Sequence, residues 1–292
     1  MDPTHPHGEI GVRRRRRLFQ RRKIPVRMLV PNFFTLLSLC AGLTAIRMSI
    51  EGRFELALAF VVAAGLLDAV DGRAARWLQA QSRFGAELDS LADFVNFGVA
   101  PALIIYTWCF KDLTTLKGLG WITALVFAAA MGLRLARFNS MLDVEKPKWK
   151  NNYFTGVPAP AGAITVLLPL YLDGAGLLGA RGMPVVVAIY TLAMAFLLVS
   201  TIPTFSGKTL SGPIRWEYAL PMLVALALVI ALLATYPLET MVVVSLAYLG
   251  LIPFSYRRYQ AQTREMEAEQ RRLAASADPR VVEIRPTDAA KR

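Results

Sequence analysis

Residues 67–93 read Leu67-Asp68-Ala69-Val70-Asp71-Gly72-Arg73-Ala74-Ala75-Arg76-Trp77-Leu78-Gln79-Ala80-Gln81-Ser82-Arg83-Phe84-Gly85-Ala86-Glu87-Leu88-Asp89-Ser90-Leu91-Ala92-Asp93. Asp68 and Asp71 stand three positions apart and Asp89 and Asp93 four, separations that put each pair on one face of a helix. Apolar sequence runs away from this stretch on both sides, through residues 54–67 and 94–110. Two neighbouring helices therefore carry four acids at or near membrane depth. Such a cluster cannot stay ionised and unpaired, because each buried charge costs several kcal/mol and the four repel one another.

The surrounding chain is built for a membrane. Of its 292 residues 55% are hydrophobic and 18% charged, and the mean hydropathy of +0.42 is not that of a water-soluble domain. Eight apolar stretches, near 29–50, 54–78, 88–109, 118–138, 158–179, 184–203, 218–236 and 238–256, approach the roughly 20 residues a helix needs to cross hydrocarbon. The fold class is thus all-α, a polytopic integral membrane protein of about eight transmembrane helices. A basic N-terminal arm or juxtamembrane helix (1–27) and a C-terminal tail (257–292) flank the membrane domain (28–256). No cleavable signal peptide is expected, since the basic N-terminus precedes a run of full span length.

Charge placement gives orientation. The net charge is +12, yet residues 28–256 hold fifteen basic and thirteen acidic residues, so the excess lies in the tails. That distribution argues against nucleic acid as a partner. With both tails on one side, 28 Lys/Arg fall there, including Arg73, Arg76, Arg83, Arg134, Arg137, Lys146, Lys148, Lys150, Lys208 and Arg215; Arg47, Arg53, Lys111, Lys117 and Arg181 fall on the other. Both termini are expected to be cytoplasmic, in a cell inner (plasma) membrane. Cys40 and Cys109 are single residues inside apolar runs and fit neither a disulfide nor a zinc site. His5 and His7 lie in the arm, remote from any site.

Three readings of the aspartates compete. They pair with Arg73, Arg76 and Arg83, although three arginines cannot neutralise four aspartates and Glu87; or they line a cation pathway, as in a cation-coupled transporter; or they hold divalent metal, for which hard oxygen ligands on two helices suit magnesium or manganese. The string Asp68-x2-Asp71-Gly72-x2-Ala75-Arg76-x8-Gly85-x3-Asp89-x3-Asp93 is similar at all eight positions to the signature of the CDP-alcohol phosphatidyltransferase family, which favours metal. Gly72 and Ala75 keep a helix face open, and Gly85 allows a tight entry to the third span.

The resemblance implies the family's membrane fold and transfer from a CDP-linked lipid or alcohol to an acceptor hydroxyl with release of CMP. It makes Asp68, Asp71, Asp89 and Asp93 ligands of two Mg2+ or Mn2+ ions, with Asp93 also the base that deprotonates the acceptor. Asp68, Gly72, Ala75, Arg76 and Gly85 would shape the CDP pocket. Asn32 and Thr35 either border the cytidine or cap the first helix after Pro31. It also implies a homodimer.

Pro31-Asn32-Phe33-Phe34-Thr35, residues 85–101, Arg134-Leu135-Ala136-Arg137-Phe138-Asn139 and Phe154-Thr155-Gly156-Val157-Pro158-Ala159-Pro160 resemble bacterial and archaeal phosphatidylserine synthases. That likeness makes CDP-diacylglycerol the donor and L-serine the acceptor. The serine carboxylate should seek a cation among Arg134, Arg137 and Lys208, with Asn139 and Thr155 as neutral partners; the basic residues are equally at home as orientation anchors. Glycerol 3-phosphate or inositol phosphate as acceptor is the alternative within the family, and would ask for a denser basic cluster.

Overall fold

The computed structural model describes residues 29–80, 82–141, 153–205 and 216–277. The N-terminal arm with its histidines, the three lysines of the 142–152 loop, Lys208, Arg215 and the end of the tail lie outside the described residues. Among those described, eight helical rods follow in the expected order. They are α1 (Leu29–Ile50), α2 (Phe54–Trp77), α3 (Arg83–Phe110), α4 (Lys117–Ser140), α5 (Ala159–Gly174), α6 (Pro184–Val199), α7 (Trp216–Thr235) and α8 (Pro237–Ala277). By length and composition α1, α3, α4 and α8 suffice to cross a membrane. The apolar helices α5, α6 and the 220–235 part of α7 are shorter, and α2 carries Asp68, Asp71, Arg73 and Arg76 in its C-terminal half. The protein is an all-α, multi-pass membrane protein.

Several ends differ from the apolar stretches, each for a local reason. Helix α3 starts at Arg83 rather than near 88 because Ser82 caps it, its Oγ accepting from Gly85 N at 3.0 Å. Helix α5 bends at Leu167, where Pro169 cannot continue the hydrogen-bond ladder, and stops before Gly176, whose φ of +69° reverses the chain. Helix α6 ends at Val199 as Ser200 turns extended. Helix α8 runs on past 256 through the helix-favouring 257–277 sequence.

Absent from the sequence reading is a ribbon joining the loops outside α5 and α6. Strands β1 (Tyr153–Thr155) and β2 (Pro203–Phe205) pair antiparallel, Phe154 opposite Thr204. Gly156, at φ +81°, follows β1; a Cβ there would press on Ser200 O and Leu198 O. Only glycine lets the ribbon lie against the end of α6.

The interior packs Ile104, Phe110, Phe127, Met131, Val166, Tyr171 and Leu198 with no more than 1% exposure. The outside is equally apolar, Leu133 being 62% and Phe196 72% exposed, which water would not tolerate over a whole bundle and lipid does. Where α1 meets α3 a polar group is buried. Asn96 sits in the first of two π-helical segments of α3 (Phe94–Val99 and Tyr106–Phe110), fully buried. Its Nδ2 donates to Ser38 Oγ at 2.8 Å, and Ser38 Oγ donates to Ala64 O at 2.8 Å. This short polar chain ties α3, α1 and α2 together, and Gly42 makes room for it, since a Cβ there would overlap the Asn96 amide oxygen.

Gly42→Ala should therefore destabilise the protein by about 1–3 kcal/mol, the usual cost of overpacking, read as a lower midpoint of thermal unfolding in detergent. Adding Asn96→Ala should recover part of that loss, because the two positions share one contact; a Gly42→Ala protein as stable as the parent contradicts this account.

Candidate active site

The two aspartate pairs meet because α2 and α3 are joined by a tight reversal. Helix α2 closes with Gln79 N donating to Arg76 O and Ala80 N to Ala75 O, at 3.3 and 3.0 Å, around Gln79 at φ +49°. That is the left-handed helix end usually given to glycine. Two residues after Ala80 the Ser82 cap starts α3. Carboxylates of the last turns of α2 and the first turns of α3 are thereby brought face to face.

Asp68, Asp71 and Asp89 each offer a carboxylate oxygen within 4.8 Å of one another. Asp93 completes the group, its carboxyl beside that of Asp68. Among the described residues the ion pairs are Arg47 with Glu51 and Arg181 with Asp112, and no arginine neutralises the aspartates. Arg73, Arg76 and Arg83 do not pair with them, which removes the purely structural reading. Asp71 Oδ2 and Asp93 Oδ1 are buried without a hydrogen-bond partner. Converging hard oxygens, two of them orphaned, fit a divalent cation, because an unpaired buried carboxylate otherwise bears the full cost of desolvation.

Beside the cluster is a cavity of about 270 Å³. Asn32, Thr35, Gly72, Ala75, Arg76 and Gly85 all line it, with Asp71 and Asp89 at its wall; Asp68 does not. Pro31, Ala80, Ser82 and Ala86 line it as well and carried no signal beyond being small or capping. Thr35 Oγ1 donates to Pro31 O at 3.1 Å, holding the first turn of α1, while Asn32 Oδ1 sits where a Gly85 side chain would begin. A Cβ on Gly72 would find only Arg76 Nη1, at 4.0 Å. Gly72 thus faces open space and Gly85 a close approach.

The expected acceptor residues divide. Arg134 is buried at 9% exposure, its Nε donating to Val157 O at 2.8 Å and its guanidinium carbon 5.9 Å from the Phe138 ring centroid. It lies within electrostatic reach of Asp93. Arg137 instead gives one terminal nitrogen to the last carbonyls of α6, Val199 O at 2.7 Å and Leu198 O at 3.3 Å. Cations are favoured at a helix C-terminus, so this contact alone accounts for it. Asn139 Nδ2 donates to Ser90 Oγ at 2.9 Å and ties the end of α4 to α3 between Asp89 and Asp93. Thr155 lies in β1, and Lys208 is outside the described residues. Missed altogether was Tyr248 on α8, whose hydroxyl is buried beside Thr204 in the vicinity of Arg134 without a formed hydrogen bond. A tyrosine in an apolar span gives no warning of such a position.

A family model described as CDP-alcohol phosphatidyltransferase matches residues 28–252. The CDP-diacylglycerol–serine O-phosphatidyltransferase of Mycobacterium bovis is 38% identical over 265 residues, 89% of this chain and 91% of its own. Proteins of the same name from Mycobacterium leprae and Bacillus subtilis are 41% identical over 231 residues and 35% over 174 residues. The leprae match covers 78% of this chain and 74% of that protein; the subtilis match covers 59% and 88%.

Titration of Mn2+ followed by electron paramagnetic resonance should show binding that Asp71→Asn and Asp89→Asn each weaken by at least about tenfold; equal binding by all three proteins counts against the cluster as a metal site. Gly72→Leu should fill the cavity and raise KM for a CDP-linked donor while leaving the unfolding midpoint unchanged, because its Cβ meets no packed neighbour.

Proposed function

The chain belongs to the CDP-alcohol phosphatidyltransferase family, and on that premise we propose that it transfers the phosphatidyl group of CDP-diacylglycerol to the hydroxyl of L-serine, giving phosphatidylserine and CMP. The observation that carries the reading is an aspartate cluster with two orphaned carboxylate oxygens, two of whose members wall a cavity lined by small residues, in a chain matched over most of its length by relatives that bear the name of that serine transferase. The 28–256 segment is then the catalytic domain.

In this reading Asp68, Asp71, Asp89 and Asp93 hold two divalent ions, Mg2+ or Mn2+. When bound, such ions supply charge neutralisation of a pyrophosphate that otherwise repels a nucleophile. The cytidine and pyrophosphate occupy the cavity over Gly72 and Ala75, with Arg76, Asn32 and Thr35 as polar contacts and Gly85 as the close wall. Asp93 presents its unpaired Oδ1 to the acceptor hydroxyl and takes its proton. The serine oxygen then forms a bond to the β-phosphorus, the bond from that phosphorus to the bridging oxygen breaks, and CMP leaves.

Arg134 supplies the cation for the acceptor carboxylate; its Nε and ring contacts fix the guanidinium before substrate arrives. Arg137, already spent on α6, serves packing. One positioned guanidinium, among the described residues of this cleft, suits a monoanionic carboxylate better than the phosphate of glycerol 3-phosphate or inositol phosphate. Gly72, Ala75, Arg76 and Gly85 around one cavity serve a nucleotide-linked donor, and an ion pathway has no need of them. The same reading has the protein as a homodimer with both termini cytoplasmic.

Purified protein given CDP-diacylglycerol should release CMP with L-serine, lose that turnover to a metal chelator, and lose about 100-fold or more in kcat on Asp93→Asn. Turnover with glycerol 3-phosphate and none with serine overturns the assignment of the acceptor.

A further inference from the structure

The acceptor side of the cleft contains a polar group that the reading above leaves without work. Tyr248 comes from α8, far in sequence from the aspartates. Its ring is partly buried against the core and its hydroxyl is out of contact with water, without a hydrogen-bond partner. A buried hydroxyl without a partner forfeits the free energy of desolvation. Such groups persist where a ligand supplies the missing bond.

The ribbon beside it is held by a relay of hydrogen bonds. Arg134 Nε is donated to Val157 O, Thr204 Oγ1 donates to Gly156 O at 2.7 Å, and Ser255 Oγ donates to Pro203 O at 3.0 Å. The ribbon that follows α4 is therefore clamped between Arg134 on one side and α8 on the other. Tyr248 lies beside Thr204 of that ribbon and within electrostatic reach of Arg134, as Asp93 does. Arg134 makes no other hydrogen bond among the described residues, so its terminal nitrogens remain available to a ligand.

We propose that Tyr248 is a specificity-determining residue of the acceptor subsite, its hydroxyl donating to the α-carboxylate that Arg134 binds, with the acceptor's own hydroxyl directed to Asp93. The inference rests on the serine reading above. The carboxylate receives one neutral and one charged donor, and the phenol gains the partner it lacks. An acceptor without a carboxylate would leave both donors unpaired, and a site built around such donors rejects the analogue that cannot pair them. Helix α8 thereby contributes to substrate choice, although the aspartates are confined to α2 and α3.

The test is steady-state CMP release by the full-length protein in mixed micelles with L-serine and with serinol, which replaces the carboxylate by a hydroxymethyl group. Tyr248→Phe should raise KM for serine about tenfold or more, leave KM for CDP-diacylglycerol and kcat at saturating serine within about twofold, and shrink the preference for serine over serinol by the same factor. The unfolding midpoint should change little, because the Thr204 hydroxyl beside it is already bonded to Gly156 O. An unchanged serine-to-serinol ratio, or equal loss with both acceptors, overturns the role of Tyr248 while the serine reading stands. A parent protein that never releases CMP with serine overturns both.

Discussion

Four carboxylates held together between two neighbouring helices, with no arginine among the described residues in ion-pair contact with them, set the terms for the rest of the molecule. Their repulsion and desolvation cost must be met by something from outside the chain, and divalent cations with a charged nucleotide are the chemistry that meets it. On the proposed function, stability is given up locally in return for a strong electrostatic field where a pyrophosphate is cleaved. The structural arginines are used elsewhere: Arg137 holds the end of α6, and Arg47 and Arg181 serve loops. Arg134 alone comes within electrostatic reach of the cluster, at Asp93, and among the described residues it forms no ion pair there.

The bundle is arranged to hold that cluster rigidly. The left-handed closure at Gln79 and the cap at Ser82 bring the two carrier helices together within a few residues. Below them the Ala64, Ser38 and Asn96 chain fixes how α1, α2 and α3 sit, and Gly42 gives the backbones the proximity this needs. On the acceptor side, the ribbon sets Arg134 against α8 through bonds to main-chain carbonyls, which do not change with side-chain rotamer. Groups that must be accurate within a fraction of an ångström are therefore held by backbone or by fully buried polar contacts.

Much of this was legible from residues alone, because two of its determinants are local. Span length is read from uninterrupted apolar residues, and the rods start where the sequence placed them at 29, 54 and 184. Spacing of three and four within a helix made the aspartate faces readable, and all of the small and polar residues expected around the nucleotide line one cavity save Asp68. What could not be read depends on pairing between distant positions. Residues 153–155 and 203–205 form strands only because each finds the other across nearly fifty positions. Arg134 and Arg137 are chemically equal in sequence, and only the direction of each side chain separates one held at Val157 and Phe138 from one bound to α6. Asn96 and Tyr248 carry no mark in an apolar run, since their importance lies in what stands opposite them.

The cavity is walled by the beginnings of α1 and α3 and the end of α2, and Trp77 and Phe84, 86% and 70% exposed, are chain neighbours of its lining residues Arg76 and Gly85. Aromatic rings of that kind anchor at the level of the headgroups. A lipid substrate reaching such an opening travels sideways in its own leaflet and never passes through water. Its effective abundance is then a number per unit of membrane area, so adding inert detergent at constant bulk lipid thins the supply and slows the enzyme, whereas a water-borne acceptor is indifferent to the same dilution.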